Sequence, residues 1–261
     1  MRPPDFPDEH RLVPYEASTF SGKRVLVFAP HPDDEVFGCG GALANLLERG
    51  ARVDVVFVTD GAAGARSEEE RGRIASERAE ESRRALEALG GGTLHPGGIP
   101  DRGAAERLSE VETLLARWLV ETAPDLVFAP SPVETHPDHR AVAVALFRVA
   151  ARPAADAAAR VLDAATVAFC ELSQPFRPNF LVDITPFRAR KDRAMDAFVS
   201  QAAARDYAGF LTGLGAYRRM TLSADVLAVE AYSVVDGKRL RSDPEGVVRD
   251  LLPLAPGLKG G

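Results

Sequence analysis

The sequence predicts a single α/β domain with a doubly wound, mainly parallel sheet and helices on both of its faces. Short runs rich in valine, leucine and phenylalanine alternate with longer helical segments. This alternation is typical of parallel strands joined by right-handed crossovers. A length of 261 residues is enough for one large core. The chain shows neither an internal repeat nor a linker, so we expect one domain.

The elements of the first half are marked by their residue patterns. Residues 25–29 (Val-Leu-Val-Phe-Ala) form an apolar run that can be buried on both faces, as parallel strands are. The stretch Gly38-Cys39-Gly40-Gly41 opens the helix that follows. Residues 67–89 combine many charges with apolar residues at helical spacing, and three glycines end this helix. The other elements predicted here are strand 52–59, strand 93–95, loop 96–103, helix 104–122 and strand 126–129.

The second half is less regular. An alanine- and valine-rich helix follows Pro137 and ends near residue 151, and residues 152–159 fit a loop or a weak helix. The later elements predicted are strand 166–172, strand 180–184, helix 186–207 and strand 226–234. We expect residues 1–22 to form an extended arm, residues 23–254 the domain, and residues 255–261 a loose glycine-rich tail.

Composition and charge argue against several classes of function. A net charge of -6 argues against nucleic acid or an anionic membrane as the main partner. No apolar run approaches the roughly 20 residues that a membrane span needs. The N-terminus lacks the apolar core of a signal peptide. Two cysteines cannot build a disulfide framework, so we expect a cytoplasmic protein.

Two loops carry most of the chemistry in the sequence. The first, Pro30-His31-Pro32-Asp33-Asp34-Glu35, directly follows the strand at 25–29, and the second, His136-Pro137-Asp138-His139, follows the strand at 126–129. The carboxyl ends of parallel strands meet at one edge of the sheet, where ligands bind, so we expect both loops to lie together. So much charge beside a buried strand favours a bound cation.

The two loops together predict a metal site. His31 and Asp34 lie three residues apart in a tight turn, and His139, in the first turn of the next helix, supplies a third ligand. Two imidazoles and one carboxylate suit Zn²⁺ with a fourth position open to water, the pattern of catalytic sites. Such a site lowers the pKa of water to about 7. Cys39 is close enough to be a ligand, but packing at the helix start is the favoured interpretation.

The remaining polar residues of the loops predict hydrolysis of an amide or ester. Asp33 adjoins the metal turn and can take a proton from water as general base. His136 can protonate the leaving group, or stabilise the oxyanion if it is protonated, and Asp138 can orient and charge it. The alternative interpretation of the carboxylates at 33–35 is structural, because they could simply cap the following helix.

These residues resemble the PIG-L/LmbE-like family of zinc-dependent N-deacetylases. The family's hallmarks are a (P/A)HPDDE loop after the first strand and an HPDH segment about a hundred residues later, and both are present at 30–35 and 136–139. The resemblance extends roughly from Lys23 to Tyr232. It implies a Rossmann-like fold, a cofactor that is Zn²⁺ or another divalent transition metal, and removal of an acetyl group from an N-acetylated amino sugar or glycoside.

The resemblance also implies roles for single residues. The family's zinc ligands correspond to His31, Asp34 and His139, and its general base corresponds to Asp33. The pair that stabilises the tetrahedral intermediate in the family corresponds to His136 and Asp138. In some members a helical arginine and a loop aspartate contact the sugar, and these correspond to Arg78 and Asp101. Residues 182–185, 191 and 200–201 look like the family's C-terminal half. The chain departs from the pattern at Glu134, where some thiol-pathway members carry a tyrosine that polarises the carbonyl.

Other interpretations stay open at the level of sequence. The metal could serve an amidase for a thiol conjugate, or a magnesium phosphohydrolase with mostly oxygen ligands. A nucleotide-binding module would use Gly38, Gly40 and Gly41, but their spacing is not G-x-G-x-x-G and the acidic residues before them would repel a pyrophosphate. We expect a small-molecule substrate, recognised by the loops at 61–73, 96–103 and 174–179. The oligomeric state is open, and a homo-oligomer is compatible with the sequence.

Overall fold

A computed structural model describes residues 13–203 and 205–253 of the chain. Its strands are β1 Arg24–Ala29, β2 Arg52–Thr59, β3 Thr93–Ile99, β4 Leu126–Pro130, β5 Thr166–Cys170, β6 Phe180–Asp183 and β7 Val229–Asp236. Its α-helices are α1 Asp34–Glu48, α2 Glu68–Leu89, α3 Leu108–Thr122, α4 Pro137–Ala150, α5 Ala157–Ala164, α6 Arg188–Asp196, α7 Val199–Ala202, α8 Tyr207–Arg218, α9 Gly237–Ser242 and α10 Pro244–Leu251. Short 3-10 helices span Thr185–Phe187 and Arg219–Thr221.

The seven strands form one sheet in the order β3-β2-β1-β4-β5-β7-β6. The first five strands in this order pair in parallel, whereas β7 runs antiparallel to both β5 and β6. The predicted doubly wound, mainly parallel sheet is therefore confirmed. The strand order reverses at β1, which has β2 on one side and β4 on the other. Doubly wound sheets bind ligands outside the carboxyl ends of the strands at such a switch point.

Helices cover both faces of the sheet because its central strands are apolar on both sides. In β1, Val25 and Val27 belong to the core shared with α1, α2 and α6. Leu26 and Phe28 belong to the opposite core, shared with α3, α4, α5 and α9. The alternation along one strand thus places its side chains in two separate apolar layers. This arrangement confirms the predicted single domain with helices on both faces.

Several boundaries differ from the sequence prediction. β3 continues to Ile99, so its second half occupies residues expected to form a loop. It does so with an irregular register against β2, which accommodates Pro96 at the edge of the sheet. α3 begins at Leu108 rather than at residue 104. α5 begins at Ala157, within residues 152–159, for which the sequence fitted either a loop or a weak helix. β5 ends at Cys170, two residues before the predicted end of that strand.

The region after residue 184 differs most from prediction. The helix expected at 186–207 is divided into the 3-10 helix, α6 and α7, and it is followed by α8, which the sequence analysis missed. The apolar residues of α8 are spread around the helix and three glycines lie among them, so its sequence lacks the apolar stripe that reveals a helix. The last strand is β7 at 229–236 rather than 226–234, and the helices α9 and α10 after it were also missed.

The segment before β1 is attached to the far edge of the sheet. The backbone N–H of Ser18 donates to the carbonyl of Leu181 at 2.6 Å. The ring of Phe20 stacks on that of Phe180 with centroids 4.6 Å apart, and meets Tyr232 edge-on at 5.1 Å. The described part of the expected arm therefore contributes to the core.

The remainder of the arm, residues 1–12, and the tail at 255–261 lie outside the described residues. Among the helices of the described ranges, none combines the length and the apolar character that a membrane span requires.

Candidate metal centre

A tight turn after β1 holds three carboxylates at the carboxyl edge of the sheet. The backbone N–H of His31 closes it by donating to Oδ2 of Asp34 at 2.9 Å. Asp33 adopts a φ of 150°, which residues other than glycine rarely do. Its N–H donates to Oε2 of Glu35 at 3.0 Å, and its carbonyl accepts from Val36 at 3.0 Å as α1 begins. These bonds hold the strained turn in place and fix the backbone positions from which its side chains project.

His31, Asp34 and His139 bring three ligand atoms together at the switch point. Nδ1 of His31 lies 3.3 Å from Oδ2 of Asp34, and Nε2 of His139 lies 3.2 Å from the same oxygen. The two nitrogens are 3.2 Å apart. A tetrahedral ion with bonds of about 2.0 Å holds its ligand atoms about 3.3 Å apart. The three atoms therefore form a triangle of the size that a four-coordinate transition metal requires.

The charges of these three residues depend on one another. Burial would raise the pKa of Asp34, but His139 and His31 hold it well below its usual range. Burial would lower the pKa of His139, but the carboxylates of Asp34 and Glu134 raise it to about 9. Two imidazole nitrogens and a carboxylate oxygen that face each other so closely need a shared cation or protons between them. The donor set therefore fits a divalent metal ion.

Two further carboxylates hold the other side of the His31 ring. Nε2 of His31 lies 3.3 Å from Oδ1 of Asp101 and 3.3 Å from Oδ2 of Asp138. Asp138 is fully buried and also accepts from the backbone N–H groups of Arg102 at 2.7 Å and Ala104 at 3.2 Å. Burial would lower the pKa of His31, but these carboxylates and Asp34 raise it. A proton held on Nε2 leaves Nδ1 as the ligand atom.

Glu134 connects His139 with the loop that follows β5. Its carboxylate accepts from the backbone N–H groups of Leu172 and Ser173, both at 3.0 Å, and from the hydroxyl of Ser173. Oε2 of Glu134 lies 3.6 Å from Nδ1 of His139, which is longer than a hydrogen bond but close enough for its charge to act. This role was not predicted from the sequence. The signal that could have revealed it is an acidic residue two positions before the second loop, which begins at His136.

Arg78 of α2 holds the carboxylate of Asp33. Its Nη2 donates to Oδ2 of Asp33 at 2.7 Å and to the carbonyl of Pro32 at 2.9 Å. Its Nη1 donates to the carbonyl of Gly61 at 2.7 Å. Burial and the charge of Asp34 raise the pKa of Asp33 to about 7, against the effect of Arg78. Arg78 is itself buried, so it supports Asp33 from inside the protein.

His136 reaches the centre from the residue that caps α4, and it is less buried than the other two histidines. Its ring centroid lies 4.7 Å from that of His31 and 5.2 Å from that of His139. Nδ1 of His136 accepts the backbone N–H of Asp138 at 3.3 Å, so the neutral ring carries its proton on Nε2. Burial and the charges of His31 and His139 lower the pKa of His136, which favours this neutral form.

Two wider groupings of possible ligands overlap with this centre. Within each grouping the ligand atoms lie no more than 4.8 Å apart, and the members are His31, His136 and His139 in one, and His31, Asp101, His136 and Asp138 in the other. The set of His31, Asp34 and His139 has separations of 3.2 Å and 3.3 Å throughout and combines two imidazoles with one carboxylate. Its dimensions fit a single small ion.

Cys39 is absent from all of these groupings of described residues. Its thiol donates to the carbonyl of Glu35 at 3.2 Å and is buried in the core shared by α1, α2 and α6. This placement matches the packing role that the sequence favoured.

Three residues have partners other than those expected from the sequence. Asp138 was expected to orient His136, but its carboxylate contacts His31 and only its backbone N–H reaches His136. Asp138 lies in the first turn of α4, where its backbone N–H faces the capping residue His136 while its side chain reaches His31. Arg78 and Asp101 were expected to bind substrate, but the structure places them against Asp33 and His31. Arg78 and Asp101 therefore pair with charged groups of the turn after β1.

The chain is similar to known deacetylases. Residues 26–150, which include both loops, match the PIG-L family model, described as GlcNAc-PI de-N-acetylase. A diacetylchitobiose deacetylase of Thermococcus kodakarensis is 30% identical over 190 residues, which cover 69% of this chain and 70% of the relative. This chain belongs to the PIG-L family.

Several solved structures share the fold of this PIG-L family protein. An N,N'-diacetylchitobiose deacetylase from Pyrococcus horikoshii is 25% identical with a TM-score of 0.66, over 84% of this chain and 86% of that one. A conserved protein from Thermus thermophilus is 27% identical with a TM-score of 0.66, over 91% and 99%. A 4-carboxy-2-hydroxymuconate hydratase from Pseudomonas putida shares the fold at 22% identity and a TM-score of 0.60, over 81% and 95%. Since the fold also carries a hydratase, the reaction of the PIG-L family protein has to be argued from its site.

Proposed function

We propose that this PIG-L family protein is a zinc-dependent hydrolase that removes the acetyl group from an N-acetylated amino sugar or glycoside. The observation that carries the proposal is the ligand triangle of His31, Asp34 and His139, with Asp33 directly beside it. The names of two relatives support a sugar substrate. One is the diacetylchitobiose deacetylase, and the other is a 1D-myo-inositol 2-acetamido-2-deoxy-alpha-D-glucopyranoside deacetylase of Mycobacterium, 32% identical over 142 residues that cover 44% of this chain and 46% of the relative.

The donor set favours zinc over magnesium. Two imidazole nitrogens and one carboxylate oxygen suit zinc, whereas magnesium prefers oxygen ligands and retains water. Three protein ligands leave one tetrahedral position open for chemistry. Bound zinc would supply Lewis acidity to a water molecule and to the amide carbonyl. Asp101 and Asp138 behind His31, and Glu134 behind His139, are the outer partners that orient such ligands.

We assign Asp33 as the general base. It is the neighbour of the ligand Asp34 in sequence, and Arg78 fixes its carboxylate through Oδ2. Asp33 takes the proton of the attacking water and returns it to the nitrogen of the departing amine. Each turnover adds one water molecule across the amide C–N bond, so the products are acetate and a free amine.

We assign His136 to the oxygen of the tetrahedral intermediate. Because Nδ1 accepts the N–H of Asp138, the neutral ring presents an Nε2–H donor. A neutral donor stabilises the oxyanion without the prior protonation that the sequence analysis considered. Asp138 acts on this histidine through the backbone and on His31 through its carboxylate.

Direct sugar contacts by Arg78 and Asp101, and a cytoplasmic location, stay predictions. Oδ2 of Asp101 accepts from the backbone N–H of Ala63 at 3.1 Å, while Oδ1 faces His31. The backbone N–H of Asp101 donates to Asp60 at 3.0 Å. Asp101 thus joins the loop after β2 to the loop after β3 beside the centre. These loops are the ones expected to recognise substrate, and we propose that Asp101 sets their relative position.

The proposal is tested by metal content and by amine release. The purified protein should bind about one zinc ion per chain and release acetate from N-acetylglucosamine, its glycosides or diacetylchitobiose. Thiol conjugates and phosphate esters belong in the same screen. Amine release from thiol conjugates alone would favour the amidase, and magnesium-dependent phosphate release would favour the phosphohydrolase. A folded protein that binds no zinc and releases no amine would refute the proposal.

A further inference from the structure

Helix α1 is broken in its middle, at the glycine-rich stretch that the proposed function does not use. Cys39 has φ of -145° and ψ of 17°, which is not helical. A Cβ on Gly41 would lie 2.5 Å from Cγ2 of Ile184, and one on Gly38 would lie 3.2 Å from Cβ of Cys170. The glycines therefore allow the broken helix to approach the neighbouring elements closely. The break separates a first turn, which carries Asp34, from the rest of α1.

A buried ion pair is inserted into the break. In a continuous helix the N–H of Gly41 would donate to the carbonyl of Phe37, four residues before it. Here the N–H of Gly41 donates to Oε1 of Glu230 at 2.7 Å, and the carbonyl of Phe37 accepts from Nζ of Lys191 at 3.0 Å. Lys191 and Glu230 meet at 2.6 Å. The pair thus takes the place of one missing helical hydrogen bond.

The carboxylate of Glu230 has further partners that fix its position. Its Oε2 accepts from the backbone N–H of Ala42 at 2.8 Å and from the hydroxyl of Tyr232 at 2.7 Å. Glu230 and Tyr232 lie on β7, and Lys191 lies on α6. The pair therefore ties the first part of α1 to the C-terminal region of the chain. It also gives the resemblance at residue 191 a physical basis.

Stability alone is a weak reason for such a pair. Taking two charges out of water costs much of what their attraction returns, and well-packed apolar residues often serve as well. What apolar residues cannot do is bind a free carbonyl and two free N–H groups at the two ends of a helix break. The pair determines the direction in which the first turn leaves the body of α1.

We infer that Lys191 and Glu230 are positioning residues for the metal centre. They hold the first turn of α1, and with it the carboxylate of Asp34, at the place where it meets His31 and His139. Neither residue touches a ligand atom in the contacts described above, so both act through the helix. This inference rests on the proposed metal-binding function.

The test compares zinc affinities of folded variants, measured by competition with a chromophoric chelator. Lys191→Met removes the donor to Phe37, and Glu230→Gln cannot accept from both Gly41 and Ala42. We expect 10–100-fold weaker zinc binding in each, the range typical of lost outer partners of a metal site. Leu162→Ala is the control, because Leu162 is fully buried in the opposite apolar layer. It should lower the melting temperature but leave zinc affinity unchanged.

The outcomes separate the two proposals. A wild-type protein that binds no zinc would refute the metal site itself. If the wild type binds zinc and the folded Lys191 and Glu230 variants bind it within about twofold as well, the positioning role is wrong. If both variants fail to fold, Tyr232→Phe decides, because it removes one hydrogen bond to Glu230 and keeps the ring. A several-fold loss of zinc affinity in that variant supports the inference, and wild-type affinity overturns it.

Discussion

Arg78 and Asp33 form a buried ion pair in which Nη2 of the arginine lies 2.7 Å from Oδ2 of the aspartate. The two residues lie 45 positions apart in the chain, on α2 and on the turn before α1. The same guanidinium also binds the carbonyls of Pro32 and Gly61. Arg78 therefore favours the charged form of the proposed base and holds its orientation.

Replacement of Arg78 by methionine should lower kcat more than it changes KM. The base would lose its fixed orientation, and we expect a loss of about 10²-fold, at the low end of what general base catalysis contributes. Arg83→Met is the matched control, because Arg83 lies on the same helix but pairs with exposed Glu80. Steady-state measurements of kcat and KM for both variants test this prediction. A change confined to KM would instead indicate that Arg78 binds the sugar.

Asp33→Asn should abolish most activity while the protein keeps its zinc. Asparagine tolerates the φ of 150° at this position better than alanine does, so the turn is preserved. Without a base, kcat should fall by about 10²–10⁴-fold. Acetate release measured together with zinc content tests this expectation. Full activity in the variant would show that another group accepts the proton.

Removal of the metal should inactivate the enzyme and lower its melting temperature. Zinc at about 100 times its dissociation constant stabilises a folded protein by about 2.7 kcal/mol, which corresponds to roughly 5–10 °C for a chain of this size. Asp34→Asn should lose this shift, because the triangle of ligand atoms loses its carboxylate charge. Thermal unfolding with chelator and with added zinc measures the effect. An equal shift in the variant would place the ion elsewhere.

Glu134→Gln should weaken zinc binding by about 10–100-fold, because the charge next to His139 is lost. The amide nitrogen of glutamine would also face the N–H group of either Leu172 or Ser173, which now donate to Oε1 and Oε2 of the carboxylate. Chelator competition measures the affinity. Glu112→Gln serves as the control, since Glu112 pairs with Arg152 between α3 and the end of α4. Unchanged affinity in Glu134→Gln would limit Glu134 to holding the loop.

Stability should decline at high pH because of Tyr232. This residue is fully buried and donates to Glu230, and burial together with the charge of Glu230 raises its pKa well above 10. The stabilisation is complete below the pKa of the unfolded tyrosine, about 10, and is lost as the pH rises toward the folded value. The wild type should lose up to about 1.4 kcal/mol more per pH unit above 10 than Tyr232→Phe. Denaturant unfolding between pH 9 and about 11 measures the slopes, and equal slopes would contradict the prediction.

The meeting of the two loops was easier to predict than the second half of the fold. His31, Asp34 and His139 could be expected to converge because both loops follow strands whose apolar runs are unambiguous, and parallel strands end at one edge. The partners of Asp138 and Arg78 could not be read in this way. They depend on how the first turn of α4 and the middle of α2 meet the turn after β1, which no local pattern records.

The antiparallel placement of β7 was hidden for a related reason. Its sequence has the pattern of any buried strand. This pattern does not show that β7 lies between β5 and β6. Two of its side chains, Glu230 and Tyr232, are polar groups in a buried strand. Their role is seen only in the structure, where Glu230 accepts from the broken helix α1 and Tyr232 donates to Glu230.

His31 and His139 stand 108 residues apart in the chain, yet their ring nitrogens meet because β1 and β4 are neighbours. During synthesis the first loop leaves the ribosome long before the second exists, so no complete set of ligands is available to a nascent chain. All three proposed zinc ligands would therefore be in place only once β1 and β4 have paired. A chain that stops between the two loops would lack His139, one of the three proposed ligands.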